Sequence, residues 1–262
     1  MTKSLFALCA AVALVFISCN VQERIVFNEH MGGSYETSFD LSQMLEAAGS
    51  MGASSTDTPS KKMDTLITFN DILVKYKDSI SSLPKEKQAQ LQNMKNMTMR
   101  MQMDEENNIF KFNIGKEFAS FRDIEFVSYE MDEMMDLAKN SAAQGAGPAG
   151  DMLKTEKVRY FFENNTFKRV DEKLLNAEEG VLEVLEESEE DMMMQGMLAE
   201  FDDMLVESKM KLEYVFPRKV KSVSMEGAKI SPDGKTVTFQ VDWKTLMDDK
   251  KLLENFEVVL EE

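Results

Sequence analysis

Cysteine, histidine and proline are scarce: of 262 residues, two are Cys, one is His and five are Pro. Both cysteines, Cys9 and Cys19, lie near the amino terminus, so the rest of the chain carries no thiol. That excludes a disulfide framework, a cysteine nucleophile and a thiolate metal site from the body of the protein. Zinc sites built from His and Cys are excluded with them. Ser-His-Asp catalysis would have to run through His30, and the sequence holds no G-x-S-x-G elbow. Basic residues are outnumbered, 30 Lys and Arg against 47 Asp and Glu, which gives a net charge of −17. Such a charge argues against nucleic acid as a partner and against docking on anionic lipid heads. Long apolar runs are also missing. The one uncharged apolar stretch, Leu5 to Ile17, is shorter than the roughly 20 residues of a membrane-spanning helix.

What is present is alternation. Arg24 to Asn28 and Tyr35 to Leu41 read as the arms of a hairpin around Gly32-Gly33. Ser42 to Glu46 starts a short helix. Met97, Met99, Met101 and Met103 alternate with polar residues, and Phe110, Phe112 and Ile114 supply the return strand. Lys157 to Glu163 and Thr166 to Val170 flank the turn Asn164-Asn165. Met210, Leu212, Tyr214 and Phe216 alternate, as do Val237, Phe239, Val241 and Trp243 after the turn Ser231-Pro-Asp-Gly234. Lys219 to Ser224 and Phe256 to Leu260 read as further strands. Helices are expected from Asn70 to about Ser82, from Pro84, over Ser120 to Lys139, twice over 171–207 and over Lys244 to Leu252. The polar stretches 49–62 and 141–150 read as flexible loops. Phe39 to Leu45 parallels Val241 to Met247, each a strand end, an Asp and a short amphipathic helix, which suggests a repeated unit. The expected class is α+β, an antiparallel sheet built from β-hairpins with amphipathic helices packed on one face. Met99, Met101, Phe110, Phe112, Tyr214, Phe239 and Val241 should face the covered side.

The amino terminus carries the sharpest signal. Lys3 gives a positive start, Leu5 to Ile17 an apolar core, and Ser18-Cys19 closes it. A small residue before a cysteine at that boundary resembles the lipobox of bacterial lipoproteins, with Phe16 where Leu is commonest. The resemblance implies cleavage before Cys19, acylation of Cys19 with lipid chains such as palmitate, and attachment to a membrane. Residues 1–18 are then a signal peptide and residues 19–262 a single α+β domain in water, tethered at one end. The alternative is an ordinary secretory signal that happens to end in a cysteine.

Together with that box, the hairpin leading into Phe39-Asp40-Leu41-Ser42-Gln43-Met44, the strand Tyr214 to Val220 and the segment Ser231 to Thr238 resemble Bacteroidota-type lipoproteins. The last two segments are also similar to the end of LppM-type lipoproteins of mycobacteria, membrane-anchored α/β modules implicated in binding lipid or glycolipid. The one acid shortly after the cysteine, Glu23, is fewer than surface-exported lipoproteins of that phylum tend to carry. That points to the outer membrane and its periplasmic side.

Other candidates read blandly. His30 sits at a hairpin turn, where an imidazole is solvated. The acids of Glu183 to Asp191, with Asp202 and Asp203, match no calcium loop and read as a solvated helix face. Met192 to Met194, Met197 and the Met97 to Met103 ladder raise Cu(I), yet their spacing is that of a core face or an adaptable apolar surface. Asp64-Thr65-Leu66 and Asp78-Ser79-Ile80 resemble a short periplasmic O-glycosylation sequence. No cofactor and no stoichiometric zinc or copper are expected. The sequence points to a non-enzymatic binding or interaction module of the cell envelope, partnered by the membrane through Cys19 and by an envelope protein or an apolar ligand. The alternative is a carrier or sensor of a lipid held between sheet and helices. A hydrolase using paired carboxylates is third.

Overall fold

The alternating runs become strands of two sheets. A computed structural model describes residues 21–43, 46, 62–140, 157–172, 174–175, 208–249 and 251–262. Cys19, residues 49–61 of the polar loop, the linker at 141–150 and nearly all of the acidic segment 171–207 lie outside the described residues.

β1 (Val21–Phe27) and β2 (Gly33–Asp40) form the first expected hairpin. The Asn28 side chain holds its turn, accepting from the backbone N–H of His30 at 2.9 Å and of Gly32 at 3.1 Å. Gly33 is required here, because a Cβ would meet the Val26 carbonyl oxygen at 1.7 Å. β4 (Met97–Asp104) and β5 (Ile109–Phe118) are the methionine hairpin, closed by Asn108 in the left-handed region at φ 49°. β6 (Val158–Glu163) and β7 (Thr166–Asp171) turn through Asn164 and Asn165, both at positive φ, which suits the twist of a two-residue hairpin. β8 (Lys209–Val215), β9 (Val220–Val223), β10 (Lys229–Ile230), β11 (Thr236–Asp242) and β12 (Asn255–Leu260) complete the described strands.

One strand departs from the sequence reading. β3 (Lys62–Thr68) pairs with β4 where only a polar loop was expected to end. It is an edge strand, exposed from Lys62 to Leu66, so selection for a buried face hardly marks its sequence.

The larger sheet runs β10-β11-β8-β1-β2-β5-β4-β3 and the smaller β6-β7-β12-β9. The pairings are antiparallel with one exception: β1 and β8 run parallel, Val21 opposite Met210 and Ile25 opposite Tyr214. The wholly antiparallel sheet expected from short hairpins is corrected at that junction. Parallel neighbours need a long connection, and the chain between β1 and β8 supplies one.

The helices described along their whole length are α1 (Phe69–Lys75), α2 (Lys77–Ser81), α3 (Lys85–Asn93), α4 (Val127–Asn140) and α5 (Trp243–Asp248). The single helix expected from Asn70 is two, broken at Tyr76 (φ −107°, ψ 24°), and Thr68 stands at its N-cap instead of Asn70. α1 buries Phe69 and Leu73 whereas α2 buries nothing, so a straight continuation would gain no core contact. A 3₁₀ turn, Phe121–Ile124, precedes α4 and is held by a capping box between Ser120 and Asp123. Asp40 and Asp242, the matched residues of the suggested repeat, do similar local work. Asp40 accepts from the Ser42 N–H and Asp242 from the Thr245 N–H.

One face of the large sheet is covered. Over β1, β8 and β11 the cover is the small sheet, through rings 4.9 to 6.3 Å apart: Phe27 with Phe167, Phe167 with Tyr214, and Phe256 with Tyr214 and Phe239. Toward β4 and β5 the helices contribute Phe69, Leu73, Leu91, Met131 and Met134 to the same core. The fold is therefore mixed α+β, with helices and a second sheet sharing the covered face. Met99, Phe112, Tyr214, Phe239 and Val241 are buried as expected, while Met101 and Phe110 are half-buried.

Candidate functional site

Charged residues that fall in phase with apolar ones produce the least ordinary chemistry in the core. Glu23 shares its strand face with Ile25 and Phe27, and Arg169 shares its face with Phe167. Both are almost fully buried, Glu23 at 5% exposure and Arg169 at 3%. They meet between the sheets. The Arg169 Nε approaches a Glu23 carboxylate oxygen at 3.4 Å, and its Nη1 donates to the Leu253 carbonyl at 3.1 Å. The other Glu23 oxygen accepts from the Tyr214 hydroxyl at 2.6 Å. The Tyr160 hydroxyl lies beside that of Tyr35 without a well-formed hydrogen bond. Burial holds the Tyr35, Tyr160 and Tyr214 hydroxyls well above the ordinary tyrosine range, and the Glu23 carboxylate raises them further.

This network ties β1 and β8 of the large sheet to β7 of the small one. Its ion pair is almost fully buried and joins the two sheets. The sequence did signal it: Glu23 and Arg169 stand at inward positions of alternating strands. Neither stands out by residue type alone, because Glu and Arg are mostly exposed in folded proteins.

Lys116 repeats the pattern. In phase with Phe112 and Ile114, it is buried and pairs with Glu130 of α4. Burial raises the Glu130 carboxyl, and the Lys116 ammonium works in the opposite direction. One turn on, Glu133 pairs with Lys87. Two carboxylates thus stand one helical turn apart, the kind of pair an acid–base hydrolase needs. Each is engaged by its own lysine, however, and the two pairs tie α4 to β5 and to α3.

A third cluster is more open. The Arg159 guanidinium lies 4.6 Å from the Phe126 ring and 5.0 Å from the Phe161 ring and pairs with Glu125. Lys157 stands over Tyr129 at 5.5 Å.

The structure places the remaining sequence candidates apart. His30 is exposed in its turn. Cys19, Met192 to Met194, Met197 and the acids of 183–191 and 202–203 lie outside the described residues. Among the described residues no three His, Cys, Asp or Glu side chains gather as a metal site. No described helix is long and apolar enough to cross a membrane. The methionine ladder joins the core at one end and emerges at the other. Met97 and Met99 are buried, Met101 and Met103 are half-buried, and Met63, the cross-strand partner of Met103, is 40% exposed.

No family model matches the chain, and no curated protein matches it. Among solved structures it is similar to the folded domain of LppM from Mycobacterium tuberculosis, determined by NMR. That alignment has a TM-score of 0.36 and 10% identity, and covers 95% of this chain and 93% of the other.

Proposed function

We propose that this protein is a lipid-anchored, non-enzymatic module of the cell envelope, held at the outer membrane on its periplasmic side and acting through binding. The observation that carries the reading is the closure of the apolar segment Leu5 to Ile17 by Ser18-Cys19, two residues before the first described strand at Val21. A signal peptide cut before Cys19 would release a chain whose first strand is intact. The buried acids and bases support a binding role, since Glu23, Arg169, Lys116 and Glu130 are spent on holding sheets and helix together.

The test is processing. The mature protein should begin at Cys19 and partition into detergent, and Cys19→Ala should block both lipid attachment and maturation. A Cys19→Ala protein that still matures and stays on the membrane would overturn the reading. A carrier of a lipid or another apolar ligand is the second reading, favoured by the methionines that leave the core along β4. Native mass spectrometry of protein purified from membranes would reveal a retained ligand.

A further inference from the structure

We infer that the end of the large sheet nearest Cys19 is a membrane-seating surface, which rests on the neutral headgroup layer of the bilayer that holds the anchor. The inference depends on Cys19 being the lipid-bearing residue. Three independent features of the fold lead to it.

The tether is short. Only Asn20 separates Cys19 from Val21, the first residue of β1. Two residues of fully extended chain reach about 7 Å. β1 is an interior strand, flanked by β8 and β2, so its start cannot swing away from the body. A lipid on Cys19 therefore draws this end of the sheet, rather than a flexible leader, to the bilayer surface.

The core opens at this same end. The register sets Val21 beside Phe39 and Met210, and Met210 beside Val241. Here β2 leaves through Leu41, β5 enters through Phe110, β4 leaves through Met103 and β11 leaves through Trp243. Leu41, Met103, Phe110, Met210 and Trp243 are all partly exposed, and Met63, the cross-strand partner of Met103, is exposed. Their counterparts further along the same strands, such as Ile25, Met97 and Ile114, are fully enclosed. Methionine adapts to irregular apolar surroundings, and tryptophan favours the headgroup boundary.

The lysines at this end are each matched by an aspartate, and the end as a whole is slightly negative. Lys62 pairs with Asp104 at 2.8 Å and Lys111 with Asp40 at 3.2 Å, while Lys209 stands opposite Asp242 across the strand pair. Glu105 and Glu106 in the adjoining turn add negative charge. Anionic headgroups would need a surplus of Lys and Arg, so zwitterionic ones fit this surface.

Trp243 is the sole tryptophan and reports on the seat directly. Lipoprotein purified from membranes would be reconstituted into phosphatidylcholine vesicles with plain or brominated acyl chains. Flotation and Trp243 emission would be read on the same samples. The protein should float, and its emission should be shifted to the blue and largely quenched by the brominated lipid. Combined Met63→Gln and Met103→Gln should weaken the quenching without stopping flotation. A flexible Gly/Ser spacer inserted between Asn20 and Val21 should do the same while leaving every seat residue unchanged. Flotation with unquenched emission would overturn the seat and leave the anchor standing. Failure to float would remove the anchor, and the seat with it. A phospholipid retained in stoichiometric amount by detergent-free protein that starts at residue 19 and carries Cys19→Ala would show the open end to be a ligand groove, which also overturns the inference.

Discussion

At the scale of single residues, the Glu23 network separates two tyrosines that look alike in the sequence. Tyr214 donates to the buried carboxylate, whereas the buried Tyr160 hydroxyl has no hydrogen-bond partner. Tyr214→Phe should therefore cost about 1.5–3 kcal/mol, the range for a hydrogen bond to a charged group. Tyr160→Phe removes a hydroxyl that lacks a well-formed hydrogen bond and should change stability by less than about 1 kcal/mol, in either direction. Urea melts of the two variants decide it, and equal losses would mean that Glu23 is held by Arg169 alone. The same residues set a response to alkali. Tyr35, Tyr160 and Tyr214 titrate higher in the folded protein than in the unfolded chain, where tyrosine ionises near pH 10. Below that pH both states keep their protons and the contribution is whole. Above it the unfolded chain releases protons that the native state retains, so stability falls as pH rises. The urea midpoint should hold from neutrality to about pH 10 and then drop, less steeply in Tyr214→Phe. His30, Cys19 and the Met192 group drew attention in the sequence because their side chains are chemically versatile. The residues that define the core's chemistry were ordinary Glu, Arg and Lys at inward phase.

Among elements, strands with one buried face were legible and the rest were not. The hairpins β1–β2, β4–β5 and β6–β7 follow from alternation and from Asn or Gly at the turns. β3 was missed because both its faces are largely exposed, and the parallel β1–β8 pairing because contact between distant strands leaves no local mark. Asp242 could be recognised as a helix start, yet nothing in the sequence says that β11 before α5 joins the larger sheet and β12 after it the smaller one. β11 offers the direct test of register. Phe239 is buried against Phe256, while its neighbour Thr238 lies on the opposite face. Phe239→Ala should cost about 3–5 kcal/mol. Thr238→Ala should cost less than about 1 kcal/mol. Denaturant melts showing equal losses would mean that the strand is set one residue out of register.

For the molecule as a whole, the carboxyl-terminal strands are divided between the two sheets. β8, β10 and β11 extend the sheet begun by β1 and β2, while β9 and β12 extend the sheet begun by β6 and β7. Unfolding should accordingly be one cooperative event, with Trp243 emission and far-ultraviolet circular dichroism changing together. Two separated transitions, with Phe239→Ala moving only one, would mean that residues 152–262 fold by themselves. The interleaving also has a consequence in time. Arg24 on β1 reaches its ion-pair partner Glu213 on β8 across 189 residues of chain. At about 5–20 residues per second of synthesis, β1 exists for roughly 10–40 s before β8 has been made. Throughout that interval one edge of the future central strand is open, and any hairpin emerging in between can compete for it. The first strand thus waits for its last neighbour while most of the chain is still being made, so β1 must keep one edge unclaimed until β8 arrives.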